Sequence, residues 1–264
     1  MTHAEASPGT VLVTGAARGI GRVTAQLLTS RGWTVVALDR DGEGVDRLTD
    51  EGAASAAIQG DLADEALIAR LPELALTATG RFDALVNNAG LSTTAPLLEE
   101  TVARIDETIT VNLRAPILAC QAAVRSFVAR GVPGAIVNIS SIHAQRSFTD
   151  WVTYGATKGG IEVLTRAVCA EFGASGVRCN AVAPGAVMTE IWERHLEDSP
   201  KAAAIEAAWR RLSPMHEILR PVDVAEAVAF LLSRAARNIN GEVLRVDAGA
   251  AAWGQPLTDQ GLAE

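Results

Sequence analysis

Short apolar runs closed by turn residues recur along the chain at 10–14, 34–38, 56–59, 84–87, 135–140, 178–182 and 243–246. The first, Thr10-Val11-Leu12-Val13-Thr14, is rich in β-branched residues and stops at Gly15. Runs that are apolar throughout, instead of at alternate positions, are strands buried on both faces. Between them, apolar residues spaced three and four apart predict helices at about 19–31, 64–78, 98–112, 113–130, 151–173 and 221–233. Strand and helix alternate from end to end. That order predicts a Rossmann-like, doubly wound α/β fold: one parallel sheet of about seven strands, helices on both faces, joined by right-handed crossovers.

The chain has 264 residues, and no Pro/Gly/Ser-rich linker, repeat or low-complexity block divides it. Residues 1–264 therefore read as a single dinucleotide-binding and catalytic domain. Residues 1–9 and 252–264 read as loose tails. The alternation breaks at about 188–216, where Trp192, His195, Trp209, Met215 and His216 stand among charges. This excursion follows a late strand, on the edge where open α/β sheets bind ligands, and predicts a substrate lid. The plain alternative is an amphipathic helix pair that only packs.

Composition removes several classes of function. Net charge is −8, and the pair Arg210–Arg211 is too short to make a phosphate-binding face, so nucleic acid is not an expected partner. Cys120, Cys169 and Cys179 are odd in number and far apart, as in reduced intracellular thiols. No apolar stretch reaches the roughly 18 residues of a membrane span, and the start lacks a basic segment followed by an apolar run. A cytoplasmic protein with no membrane partner is expected. His216-Glu217 lacks the second histidine of a zinc helix, and no metal is expected. No Gly-x-Ser-x-Gly elbow of a hydrolase is present.

The first strand runs into Thr14-Gly15-Ala16-Ala17-Arg18-Gly19-Ile20-Gly21 and then a helix. Gly15 permits the tight turn, and Gly19 and Gly21 let backbone and helix approach a pyrophosphate, whose charge the helix N-terminus favours. The second strand ends at Leu38-Asp39-Arg40. An acid here accepts hydrogen bonds from a ribose 2′-hydroxyl and repels a 2′-phosphate, which favours NAD. Arg18 and Arg40 pull towards NADP, because guanidinium pairs with phosphate.

The chain contains one tyrosine, and it lies four residues before Lys158, one of only two lysines. On a helix, Tyr154 and Lys158 share a face. Reducing a carbonyl needs a proton donor at oxygen; oxidising an alcohol needs the reverse. A free phenol, with pKa about 10, is a poor base, and a neighbouring ammonium is expected to lower it.

Together these motifs resemble the short-chain dehydrogenase/reductase family over about residues 10–250. Thr14–Gly21, Asp61, Asn87-Asn88-Ala89-Gly90, Asn112, Ser141, Tyr154-x3-Lys158, Pro184-Gly185-x3-Thr189 and Val246-Asp247-Ala248-Gly249 occur in the family's order and spacing. The resemblance implies catalytic roles for Asn112, Ser141, Tyr154 and Lys158. Ser141 would hold the substrate oxygen, and Asn112 a water against Lys158; Asn112 would also bond a main-chain carbonyl and bend its helix. Asp61 and Leu62 would flank adenine, Asn88, Ala89 and Gly90 the adenosine ribose, and Pro184, Val187 and Thr189 the nicotinamide and phosphates. Lys158 would also bond the nicotinamide ribose. Asn87 would prop the central strands or contact the ligand. The family is commonly tetrameric or dimeric, which implies a homo-oligomer packed through helices around 98–130 and 151–173. The apolar surface of Ile161, Val163, Leu164 and Val168 is a candidate for that contact.

The sequence thus reads as an NAD-dependent oxidoreductase acting on a small alcohol or ketone. His143, Trp151 and Trp192 are candidate substrate contacts beside Ser141 and Tyr154. An NADP-dependent reductase of a carbonyl or acyl-thioester, and an inactive nucleotide sensor on the same fold, are the alternatives. Polar residues near Ser141 suggest a polyol, sugar or hydroxy acid; the lid tryptophans suggest something larger and apolar.

Overall fold

The computed structural model describes residues 8–197 and 199–253. Seven strands form one sheet: β1 (Thr10–Thr14), β2 (Thr34–Asp39), β3 (Ala56–Gln59), β4 (Ala84–Asn87), β5 (Gly134–Ile139), β6 (Val177–Pro184) and β7 (Val243–Val246). Their order is β3-β2-β1-β4-β5-β6-β7, and every neighbouring pair is parallel. The helices are α1 (Gly19–Ser30), α2 (Gly42–Asp50), α3 (Glu65–Thr79), α4 (Val102–Ile109), α5 (Ala115–Arg130), α6 (Val152–Phe172), α7 (Glu190–Glu197), α8 (Ala202–Arg210) and α9 (Pro221–Leu232).

The strands alternate their side chains between two cores, as the pleat requires. Val11 and Val13 of β1 pack with Leu28 of α1, Val45 and Leu48 of α2, and Val224, Val228 and Leu231 of α9. Leu12 points the other way, to Ile68 and Leu71 of α3, Phe127 of α5 and Val168 of α6. The central strands β1, β4 and β5 are buried at every position, so their sequences show no polar alternation. After β3 the chain crosses to the opposite side of β1, and this reversal opens a crevice at the carboxyl ends of β1 and β4.

Four details depart from the expected pattern. Helix α2 has no counterpart in the periodicity, because only Val45 and Leu48 among its nine residues give it an apolar face. The helix expected from 98 begins at Val102, where Thr101 accepts the amide of Arg104. The α4 and α5 segments are joined through a π-helical turn, Thr110–Arg114. Pro116 has no amide to give the Asn112 carbonyl, which favours the wider turn there. The expected N-terminal tail, 1–9, ends before Gly9: Gly9 is buried, and its carbonyl accepts the amide of Thr34. Ala252 and Trp253 are also anchored, by a turn to Gly249 and by a ring contact with His216. The remainder of both expected tails, 1–7 and 254–264, lies outside the described residues.

The excursion after β6 carries α7 and α8. Its two roots are clasped by Met188 N–H to the Leu219 carbonyl (2.8 Å) and Leu219 N–H to the Ala186 carbonyl (2.9 Å). No helix among the described residues is long and apolar enough to cross a membrane.

Candidate active site

The glycine turn explains itself through close contacts. Gly15 has φ +66°, and a Cβ there would lie 2.7 Å from the Ala89 Cα. A Cβ on Gly21 would lie 2.0 Å from the Gly15 carbonyl oxygen. Asn88 locks the arrangement: its Nδ2 donates to the carbonyls of Thr14 and Gly15 at 2.9 Å each. In return Thr14 Oγ1 accepts the amides of Asn88 and Ala89 at 3.1 Å. Asn87 props the next strand, donating 2.8 Å to Asn138 Oδ1.

Helix α1 has no side-chain cap at Arg18 and no acid in its first turn, unlike α2 and α3, which Asp41 and Asp64 cap. Its first amides and positive dipole end are therefore left for an external anion. Asp39, at the end of β2, is fixed on both oxygens: Oδ2 accepts the Ala17 amide and Oδ1 the Asp41 amide, each at 3.0 Å. The carboxylate thus pins the glycine turn to β2 and still borders the crevice, with Arg18 and Arg40 exposed beside it. These features fit a dinucleotide. Asp61 and Leu62 border the same end, and Pro184, Val187 and Thr189 the other.

The crevice has a volume of about 760 Å³. Of the residues the sequence singles out for cofactor, substrate and catalysis, Gly21 and Asn112 do not line it. Gly21 stands behind Gly15. Asn112, buried in the π-helical turn, stands behind Gly90, where a Cβ would lie 3.4 Å from Asn112 Oδ1 and 3.7 Å from Lys158 Nζ. Its amide is engaged with the backbone of one residue: Oδ1 accepts Leu91 N–H (2.7 Å) and Nδ2 donates to the Leu91 carbonyl (2.8 Å).

Tyr154 and Lys158 lie on α6, on one face as the spacing predicts, with Nζ 5.5 Å from the phenol ring centre. Nζ donates to the Ile139 carbonyl at the end of β5 (2.8 Å). Ser141, just beyond β5, stands beside the Tyr154 phenol, where its hydroxyl favours the phenolate. Burial lowers the Lys158 ammonium to about 8. The phenol departs from expectation. Burial raises it above its usual value, and the neighbouring Ser141 hydroxyl opposes this only in part. The ammonium does not overcome the desolvation of a buried phenolate.

Beyond Ser141 the wall is aromatic. His143 stacks on Phe148 with ring centres 4.4 Å apart, and meets Trp151 at 4.7 Å and Tyr154 edge-on at 5.3 Å. Phe148, at the same wall, was not signalled by any motif; neither was Leu91, whose backbone holds Asn112. Trp192 of α7 packs against Trp209 of α8 at 4.7 Å, and both border the crevice. His195 lies on α7, but its side chain is outside the described residues.

Burial lowers His143 to about 4, so the ring is neutral across the physiological range. The folded value lies below the unfolded one of about 6.5. Stability from the neutral ring is therefore complete above pH ~6.5 and is lost as pH falls towards ~4. The melting temperature of the protein should fall over that interval, and His143→Phe should fall less. Parallel curves for the two proteins would show that His143 titrates as it does in water.

Comparison with known proteins agrees with this geometry. Residues 15–251 match the family model described as Enoyl-(Acyl carrier protein) reductase. The chain is 40% identical to L-xylulose reductase of Mus musculus, over 90% of this chain and 94% of that one. It is 35% identical to 3beta-hydroxysteroid dehydrogenase 1 of Eggerthella lenta, over 91% and 92%. A solved structure of a candidate 2-deoxy-d-gluconate 3-dehydrogenase from Agrobacterium tumefaciens, with NADP bound, superposes with a TM-score of 0.83 at 32% identity, covering 93% of this chain and 97% of that one.

Proposed function

The chain belongs to the short-chain dehydrogenase/reductase family, and we propose that it moves a hydride between NAD(H) and a secondary alcohol or its ketone, with Tyr154 as general acid and base. The observation that carries this reading is the meeting of Ser141, Tyr154 and Lys158 in a crevice whose other arm is an uncapped helix behind a glycine turn.

When bound, the nicotinamide ring supplies or accepts the hydride. The chain's own groups handle the oxygen. In reduction, the Ser141 hydroxyl and the Tyr154 phenol both donate to the substrate carbonyl oxygen, and the phenol gives up its proton as negative charge develops there. A phenol that burial keeps protonated is ready for this direction. Lys158 stabilises the phenolate left behind, and its ammonium holds the end of β5 in register with α6. Asn112 fixes the Leu91 backbone and stands with that ammonium behind Gly90. In oxidation the same steps run backwards, and the phenolate must form first.

NAD is favoured by Asp39, whose carboxylate is fixed where a ribose 2′-hydroxyl would meet it. Arg18, Arg40 and the NADP in the similar Agrobacterium structure favour the second reading, an NADP-dependent reductase. Trp151, His143 and Trp192 are the proposed substrate contacts. Two of the relatives are named for a sugar ketone and a steroid alcohol, and the aromatic wall suits the apolar face of either. We place the protein in the cytoplasm, with a second copy packed on α4, α5 and α6, where Ile109, Ile117, Val128, Val152 and Val163 are exposed. Of the four residues on α6 expected at such a contact, Ile161 and Val168 are buried within the subunit and Leu164 packs against its core; Val163 faces outward.

A further inference from the structure

Glu162 is the one charged residue besides Lys158 that is buried on α6, with 8% of its surface exposed. No arginine, lysine or histidine among the described residues forms an ion pair with it. Its partners are neutral and lie at the two ends of one short segment. Ser140 Oγ donates to Glu162 Oε1 at 3.4 Å and to the Lys158 carbonyl at 3.3 Å. Gln145 Nε2 donates to the same carboxylate oxygen at 3.1 Å. Between those ends are Ser141 and the turn that carries His143. Gln145 is held in turn from β7, where Arg245 donates to its Oε1 at 3.3 Å. A buried carboxylate without a cation costs stability, and hydrogen bonds offset only part of that cost. Here it serves to fix the Ser141 segment to the helix bearing Tyr154 and Lys158, one turn beyond the lysine.

We propose that Glu162 is a positioning residue for Ser141: its carboxylate clamps both ends of the 140–145 segment to α6 and so sets how the Ser141 hydroxyl faces Tyr154. The inference rests on the proposed roles of those two residues. Its consequence is specific. The neighbouring Ser141 hydroxyl holds the Tyr154 phenol down, so loosening the segment lets the phenol rise. The other titratable groups facing the phenol are Lys158 on its own helix and His143 from the segment. Lys158 keeps its contacts when the Glu162 carboxylate is replaced, and His143, which moves with the segment, is neutral and brings no charge to the phenol.

The test uses the whole protein with NADH and a ketone it reduces, and with NAD⁺ and the matching alcohol. Glu162→Leu should lower kcat by up to about 10²-fold, the scale of a misplacement near 1 Å, with the NADH dissociation constant little changed. Its oxidation rate should need a higher pH than that of the unaltered protein, because the phenolate forms later. Glu162→Gln keeps one acceptor oxygen and should restore most of kcat and the original pH limb. Gln145→Leu, which leaves α6 intact, should reproduce the pH shift and keeps the test open if Glu162→Leu does not fold. Unchanged kcat and pH limb in Gln145→Leu or a folded Glu162→Leu would overturn the positioning role while Tyr154 keeps its own. Full turnover in Tyr154→Phe would overturn both.

Discussion

Tyr154→Phe is expected to bind NADH as the unaltered protein does and to lose about 10³-fold in turnover, the scale of general acid–base catalysis by one group. That corresponds to about 4 kcal/mol of transition-state stabilisation. Phenylalanine keeps the ring and its edge contacts with Trp151 and His143, so the crevice should keep its shape. What disappears is the proton donor at the substrate oxygen and the partner of Ser141. Fluorescence titration with NADH and steady-state rates, measured on one preparation, separate binding from chemistry. Equal losses in both would make Tyr154 a cofactor ligand instead of an acid. Near-normal turnover would remove the proposed mechanism.

The second large effect concerns the cofactor. NADH should exceed NADPH in kcat/KM by roughly 10²-fold, and Asp39→Ala should bring the two within about tenfold. Two unit charges about 4 Å apart cost about 4 kcal/mol at the effective dielectric of a protein surface, and Arg18 and Arg40 offset part of this for a 2′-phosphate. The same substitution removes the acceptor for the Ala17 and Asp41 amides, so Asp39→Ala should also melt at a lower temperature. Rates with both nucleotides at matched concentrations decide the matter. Preference for NADPH in the unaltered protein would establish the NADP reading in place of this one.

The sheet was legible because its central strands are buried on both faces and their sequences are apolar without interruption. The crevice was legible because its glycines, Asp39, Ser141, Tyr154 and Lys158 act at fixed chain spacings. Three features were hidden for physical reasons. Helix α2 has an amphipathic face of only two apolar residues, Val45 and Leu48, in a nine-residue segment of low mean hydropathy, and an Asp41 cap that hydropathy does not record. The π-helical turn at Asn112 depends on a side-chain amide that bonds Leu91 and on Pro116, which has no N–H for the Asn112 carbonyl, and hydropathy does not record it. Glu162 reads as a solvated charge on an amphipathic helix; only the fold brings Ser140 and Gln145 across it. The phenol shows the limit most clearly. Spacing placed the ammonium beside it, but burial sets its direction, and burial belongs to the assembled structure.

The central claim is hydride transfer, and the most direct test follows the hydride itself. The protein is incubated with NADH deuterated at the transferring carbon and a panel of ketones, and the products are read by mass spectrometry. The structure predicts an alcohol carrying one deuterium on its carbinol carbon, formed in step with NAD⁺ and abolished in Tyr154→Phe. Failure to form a labelled alcohol from any ketone in the panel, or label retained wholly in the nucleotide, would contradict it.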